Sequence, residues 1–591
     1  DADRGKLTGI SFFLNAVGAL LFFAVLTRLP ALYQGFGATE TDAGRFAYLT
    51  IAAVCVVSAL IMLGLKPGAP EQVTERLPLM TLLRQGLSAG KRPRIALAYA
   101  ASFAVATRSI SSARADDTAE VIFRNGAIYP MAKAGGLGDV VGALPKYQQR
   151  AGHVAQVVVP MYRTPYLYKK EWELVHQGRQ QLGTYQFSYS VIREKSRELG
   201  FDLYLVDING LLDRPKVYGY EDDPQRFIAF QLSVMDWVCH WTHRPDVIHV
   251  HDHHTGLIPF FMRYAYPFRD KLQGVPSVFT IHNAQYQGWI DWQHRDWLPP
   301  YDEWKSGLIE WAGQINPLAA AVKSAWKVTT VSYSYLEELR HSANGMEKLF
   351  EYERGKCSGI LNGIDAAVWD PSTDPLLVKS YGIDQLAPGK QANKESLCHQ
   401  FGLDPQKPLF TFIGRLVHEK AADLLPEVIH QCMHHFVDRM SLILLGSGDS
   451  TLESNLHQLA QQYTGRFGAY IGYYEELSHR LYAGADFLLM PSRVEPCGLN
   501  QLYAMRYGTV PLVRNTGGLR DTVVDMGEWQ GFGIRFDQAS VGDIVYSVGR
   551  ALDLYEQNPS KLQWMQRHMM GFDHSWDRSA AQYLELYQTI R

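Results

Sequence analysis

The stretch KAGGLGDVVGALPK, residues 133–146, decides how the rest of the chain is read. Upstream, EVIFRNGAIYP (120–130) carries a short apolar run at 121–123 into a turn. Downstream, Val140, Val141, Leu144 and Tyr147 recur at the spacing of one helix face. HVAQVVVP (153–160) follows as a second apolar run. The unit predicted is strand, glycine turn, helix, strand. Gly135, Gly136 and Gly138 permit close backbone approach, a helix start offers N–H groups to an anion, and Lys133 adds a point charge for phosphate. The spacing is neither GxGxxG nor a P-loop. On these residues alone, a tight strand-to-helix turn with a solvated lysine stands beside the phosphate cradle.

Beyond residue 120 the same pattern recurs. Apolar strands run into polar loops and amphipathic helices at 245–264, 277–288, 327–340, 409–429, 441–450 and 486–505. Such alternation predicts a mostly parallel sheet, in which ligands sit beyond the carboxyl ends of the strands. Ser332 or Ser334 is placed to cap a helix. In HVHDHHTGL, His249 and His251 alternate along a strand and 252–254 form its loop. No second ligand cluster accompanies them, so no metal is expected. His254 is either a hydrogen-bond partner for a ligand or a helix cap. Arg415 and Lys420, in GRLVHEK, suit a diphosphate or a solvated loop equally as a lone feature. Glu495 precedes Pro496, Cys497, Gly498 and Leu499 at another helix start. No His–Asn/Asp set points to Cys497 as a nucleophile, so its contribution is read as backbone N–H. NTGGLRDT (515–522) is a second glycine-rich helix start suited to phosphate.

The chain of 591 residues is long enough for three or four domains as a loose prior. Its net charge of −3 gives no general affinity for nucleic acid. The six cysteines are scattered without a CxxC pair, which argues against a zinc site or disulfide framework and fits a reducing compartment. The first 115 residues differ in kind: 12 Lys/Arg against 6 Asp/Glu, and two uncharged 20-residue runs at 7–26 and 46–65, each long enough to span a bilayer. Basic residues between 66 and 94 orient them with that segment, and the N-terminus, in the cytoplasm. A third run, 95–106, is too short to span, and 111–120 reads as a polar junction.

Together, KAGGLGDVVGALPK, HDHHTGLIP, FTIHNAQYQG, SGILNGIDAAVWDP, FIGRLVHEK, PSRVEPCGLNQLYAMRYGTVP and NTGGLRDTV resemble, in order and spacing, the bacterial glycogen synthase and plant starch synthase family, glycosyltransferase family 5. The resemblance covers about 121–591. Residues 1–110 resemble a fragment of a major facilitator transporter, too few spans to form a translocation path.

The family resemblance implies a GT-B fold. Two Rossmann-like domains, 121–370 and 371–573, face across a cleft, and a C-terminal helix, 574–591, packs back on the first, so that the chain is complete at that end. It implies metal-free, cofactor-free transfer of glucose from ADP-glucose to an α-1,4-glucan with retention of configuration. It places Lys133, Gly135 and Gly136 by the donor, Arg415 and Lys420 on the diphosphate, and Thr516 and Gly517 near the phosphate. Tyr473 stacks on adenine. Glu495 and the backbone of Cys497, Gly498 and Leu499 read the glucose hydroxyls. His254 reaches the sugar 6-OH, Asn283 lines the same pocket, and Asp222 is the matching active-site aspartate. Retention without a placed nucleophile implies front-face attack.

The sequence departs from the family at its start: Ala127 stands where a glutamate is usual, and Arg124 falls in the expected first strand. Three readings follow: an active synthase with a two-span anchor at 7–65, a catalytically impaired fusion, or, against the lack of an intramembrane charge pair, a transport role for 1–110. UDP-glucose is the runner-up donor.

Overall fold

The computed structural model describes residues 136–591, apart from 197 and 215. The expected strand at 121–123, Arg124, Ala127, Lys133, Gly135 and the uncharged runs at 7–26 and 46–65 lie outside the described residues. Among the described residues, no helix is long and apolar enough to cross a membrane.

The glycine-led helix α1 (Gly136–Arg150) leads to strand β1 (Gln156–Pro160). In the N-terminal half β1 belongs to a mixed sheet with β2 (Trp172–Leu182), β3 (Tyr185–Glu194) and β4 (Asp202–Asp207), in the order β1-β4-β3-β2. The β2–β3 pair is an antiparallel hairpin. In β3 the buried Phe187, Tyr189 and Val191 alternate with exposed or half-exposed neighbours, as expected of a sheet with one wet face. Helix α2 (Asp223–Cys239) packs across β2.

A second sheet is all parallel. It contains β5 (Ile248–His251), β6 (Ser277–Ile281), β7 (Lys327–Thr330) and β8 (Cys357–Gly359), side by side in sequence order. Every residue of β6 is buried, the mark of a strand covered on both faces. After β7, the Ser332 side chain caps helix α3 (Tyr333–Leu339) by accepting from Tyr335 N–H.

The C-terminal half is one six-stranded parallel sheet. Its strands are β9 (Leu409–Leu416), β10 (Ser441–Gly448), β11 (Phe467–Ile471), β12 (Phe487–Met490), β13 (Val510–Arg514) and β14 (Ile534–Phe536). Their order, β11-β10-β9-β12-β13-β14, reverses direction between β9 and β12. That reversal opens a crevice at the carboxyl ends of those two strands. Two short helices begin near it, α4 (Asn500–Arg506) and α5 (Gly517–Thr522).

The last helix, α6 (Trp576–Gln588), crosses back to the N-terminal half. Trp576, Ala580 and Tyr583 form an apolar cluster with Val140, Leu144 and Tyr147 of α1. Val141, on the same stretch, is half-buried and packs instead against the cluster under β1 and β4. Ser579 donates to Leu361 O at 2.6 Å, and Ile364 N–H donates to His574 O at 2.8 Å, stitching the crossover. Trp576 is 2% exposed. Trp576→Ala should therefore cost about 3–5 kcal/mol of stability, read as a clear drop in the thermal unfolding midpoint; an unchanged midpoint would show that α6 docks without this contact.

Candidate active site

A cavity of about 1950 Å³ runs between the two halves. Its floor on the C-terminal side is the crevice at the β9/β12 reversal. The end of β9 supplies Arg415 and the loop after it Glu419 and Lys420; the loop after β12 supplies Glu495, Pro496, Cys497, Gly498 and Leu499; the loop after β11 supplies Tyr473. The opposite wall holds Leu137, Gly138 and Asp139 of α1, His253 and His254 after β5, Asn283 and Tyr286 after β6, and Asp223 of α2. The cavity lining continues past the cleft along β1 and β5, the terminal strands of their sheets among the described residues.

At the centre, Lys420 Nζ donates to Glu495 Oε2 at 2.5 Å, and Ser492 donates to the same oxygen at 2.7 Å. The Glu495 side chain is 7% exposed, so its charge is held by a lysine and a hydroxyl rather than by water. Arg415 is half-exposed and only loosely engaged, 3.4 Å from Glu419 Oε2. Across the cleft, the Tyr286 hydroxyl donates to Glu419 Oε1 at 2.9 Å. Tyr473 presents a half-exposed ring to the cavity, its hydroxyl donating to Glu475 at 3.2 Å. Ala421, directly after Lys420, is buried with a left-handed backbone (φ 54°, ψ 32°), a conformation costing a residue with a Cβ about 1–2 kcal/mol. Cys497 is buried, which pushes its thiol up to about 12; it is inert as a nucleophile at neutral pH.

His254 lies within a one-turn 3-10 helix, His253–Thr255, whose N-cap position is held by Asp252. Its ring lies tilted against His253 (centroids 3.9 Å apart) and meets Phe227 edge-on at 4.5 Å. Burial, then the charges of His253 and Arg226, hold its pKa well below the usual value. It is a neutral ring at pH 7, fit to exchange hydrogen bonds with an uncharged group. Its buried Nδ1 has no partner among the described residues.

Two expectations are corrected. Thr516 and Gly517 do not line the cavity. Glu338 of α3 accepts from Gly517 N–H at 2.8 Å and Thr516 Oγ1 at 3.1 Å, so a carboxylate already occupies the start of α5. The glycines there serve packing: a Cβ on Gly517 would lie 2.1 Å from Glu495 O, and one on Gly518 2.1 Å from Cys497 O. Asp222 is also off the cavity lining, with both oxygens accepting from Arg214 at 2.6 Å. Its neighbour Asp223 lines the cavity and pairs with the fully buried Arg226.

Asp252 went unread in the sequence. It sits at the end of β5 with φ 54° and ψ −179°, a backbone region nearly confined to glycine, and its carboxylate accepts from His282 N–H at 2.8 Å. Burial pushes its pKa up to about 7. The signal was the position, a carboxylate directly after a strand, but its partner His282 comes from the end of β6.

Around Asp252 stand five histidine rings, His282 buried and the other four half-buried. His251 and His253 are lowered to about 4 by burial, and His249, His254 and His282 are lowered well below the usual value by burial and by one another. In the unfolded chain such rings protonate near pH 6.5. Between pH 6.5 and 4 the unfolded state therefore binds more protons, and stability falls with pH by up to about 3 kcal/mol for each of His251 and His253. Asp252, whose pKa is raised, works in the opposite direction between pH 7 and 4 and offsets slightly more than one ring. The melting temperature should fall between pH 7 and 5, above the range where ordinary carboxylates titrate. A flat or rising profile would mean that the folded protein charges these rings.

The family model for the starch synthase catalytic domain matches residues 120–352, and that for group 1 glycosyl transferases matches 393–560. The chain is 51% identical over 471 residues to the glycogen synthase of Flavobacterium johnsoniae, covering 80% of this chain and 99% of that one. It is 38% identical over 480 residues to the glycogen synthase of Geobacillus stearothermophilus, covering 80% and 98%. Its fold superposes on the catalytic domain of Starch Synthase IV from Arabidopsis thaliana bound to ADP and acarbose, with a TM-score of 0.72, 30% identity, and 78% and 97% of the two chains covered. Sucrose-phosphate synthase from Thermosynechococcus elongatus shares the fold at 17% identity and a TM-score of 0.51, covering 78% and 94%. The family model begins at residue 120, and these matches do not show the transporter resemblance of residues 1–110. The chain is a retaining glycosyltransferase of the GT-B fold and belongs to the glycogen synthase and starch synthase family.

Proposed function

We propose that the chain transfers glucose from ADP-glucose to the non-reducing 4-OH of an α-1,4-glucan with retention of configuration. The observation that carries this is the Lys420–Glu495 pair at the sheet reversal, flanked by the loosely held Arg415. A nucleotide diphosphate placed there meets two cations. Lys420 keeps Glu495 with one N–H and has two more to offer. Charge that develops on the departing diphosphate is stabilised at that point, where it lowers the barrier. Tyr473 supports the adenine. Glu495 and the backbone of Cys497, Gly498 and Leu499 face the glucose hydroxyls, with neutral His254 at the 6-OH and Asn283 beside it. Lys133 and Gly135, outside the described residues, and Gly136 at the start of α1 complete the donor side. No carboxylate is assigned as nucleophile; the acceptor hydroxyl attacks on the face the phosphate leaves and passes its proton to that phosphate. Closure of the halves would exclude water and limit hydrolysis. The ADP and acarbose bound to the Arabidopsis relative support this donor and acceptor class.

The test is glucose incorporation into glycogen by the full chain, with ADP-glucose and UDP-glucose in parallel. Activity with ADP-glucose is expected, and Lys420→Ala should lower kcat/KM by about 100-fold or more. Preference for UDP-glucose would overturn the donor assignment. A folded chain inactive with both would mark an impaired fusion.

The uncharged runs at 7–26 and 46–65 favour a second element, attachment to the inner membrane with the active site in the cytoplasm. Only their length and lack of charge support it. Membrane pelleting that resists alkaline extraction is the result it requires; release into the soluble fraction refutes it.

A further inference from the structure

Beyond the sheet-reversal crevice, three side chains of the N-terminal half converge, with His240 at the far lining of the same cavity. His176 stands on β2, and Asp236 and His240 stand one turn apart near the end of α2. One nitrogen of each ring and one oxygen of Asp236 lie within 4.8 Å of one another. The two rings are 5.0 Å apart, centroid to centroid.

The surrounding hydrogen bonds prepare these groups as ligands. His240 Nδ1 is 2.8 Å from Asp236 O, a carbonyl that only accepts, so Nδ1 carries the proton and Nε2 the lone pair. The Tyr189 hydroxyl donates to Asp236 Oδ2 and is 3.1 Å from His176 Nε2, from which it accepts; His176 Nδ1 is then the unprotonated nitrogen. Asp236 Oδ1 lies 3.9 Å from His240 Nδ1, the protonated nitrogen, so the His240 ring must turn to bring Nε2 to the carboxylate. Tyr189 reaches both groups because its cross-strand partner is Gly178: a Cβ at 178 would lie 2.5 Å from the tyrosine ring. A phenol and a carbonyl that fix imidazole tautomers and hold a carboxylate are the outer-shell pattern of a metal site.

We propose that His176, Asp236 and His240 bind one late first-row divalent cation, zinc foremost. Two imidazoles and one carboxylate suit zinc, nickel or copper and not magnesium or calcium, which prefer all-oxygen sets. The 4.8 Å spread closes to tetrahedral ligand separations by side-chain rotation. His240, 59% exposed, makes it by giving up its bond to Asp236 O and leaves the fourth position to water. The ion staples β2, the terminal strand of its sheet, to the last turn of α2. This role is structural and independent of the glycosyl transfer reading.

The full chain, stripped with EDTA and dialysed, is titrated with cobalt(II) as a spectroscopic probe and then with zinc. One equivalent of cobalt should give a visible band of tetrahedral type, displaced by zinc. Saturating zinc should raise the melting temperature by a few degrees, and magnesium should not. His240→Gln, an exposed change that leaves the fold intact, should abolish the band and most of the zinc shift; His176→Gln should do the same. Absence of a band in the wild type, or a band and zinc shift that survive His240→Gln, overturns the proposal.

Discussion

The cleft is organised by one buried carboxylate and the lysine that neutralises it. Glu495 follows β12 and Lys420 follows β9, the two strands between which the C-terminal sheet reverses its order. A carboxylate this enclosed needs a countercharge, and the reversal point is where a lysine from the adjacent loop can reach it. The surrounding backbone follows from that meeting. Ser492 completes the carboxylate's hydrogen bonds, Asn500 donates to Ile413 O and fixes α4 beside β9, and Ala421 accepts a left-handed conformation to turn the chain behind the lysine. The site thus holds cationic donors in place before any anion arrives, which is how preorganised electrostatics act in transfer chemistry.

The two halves are joined by ionic helix caps as well as by α6. Glu338 of α3 accepts from the start of α5, and Asp521 of α5 accepts from Ser334 N–H at the start of α3, at 2.9 Å. Each helix places an acid at the positive end of the other. Ser332 adds a hydrogen bond to Pro496 O, within the loop that carries Glu495. The joint therefore lies directly behind the loop that carries Glu495, so any motion of one half against the other is felt by Glu495 and Cys497. Tyr286 and Glu419 form a second, exposed link across the mouth.

Much of this was legible in the sequence because a parallel sheet places strand ends in one plane. Apolar runs ending in polar residues marked the loops after β5, β6, β9 and β12, and His254, Asn283, Arg415, Lys420, Tyr473 and Glu495 line one cavity. Illegible were the partners that tertiary structure supplies. NTGGLRDT has the glycines of a phosphate-binding turn, yet they serve close backbone packing, and the acid that fills the turn comes from Glu338. Between Asp222 and Asp223 local spacing could not decide; Arg214 and Arg226, each several residues away, divide them. Asp252 and the histidines around it depend on β5 meeting β6, and the His176, Asp236 and His240 group depends on α2 lying across β2.

The most direct test of the cleft's role is calorimetric titration of ADP into the full chain and into Lys420→Ala, with folding of both verified by thermal unfolding. If Lys420 holds the diphosphate, the wild type binds ADP with a measurable dissociation constant and the variant binds at least about 10-fold more weakly, the loss of one charge-assisted hydrogen bond. Equal affinity in the two proteins would contradict the account and place the nucleotide elsewhere.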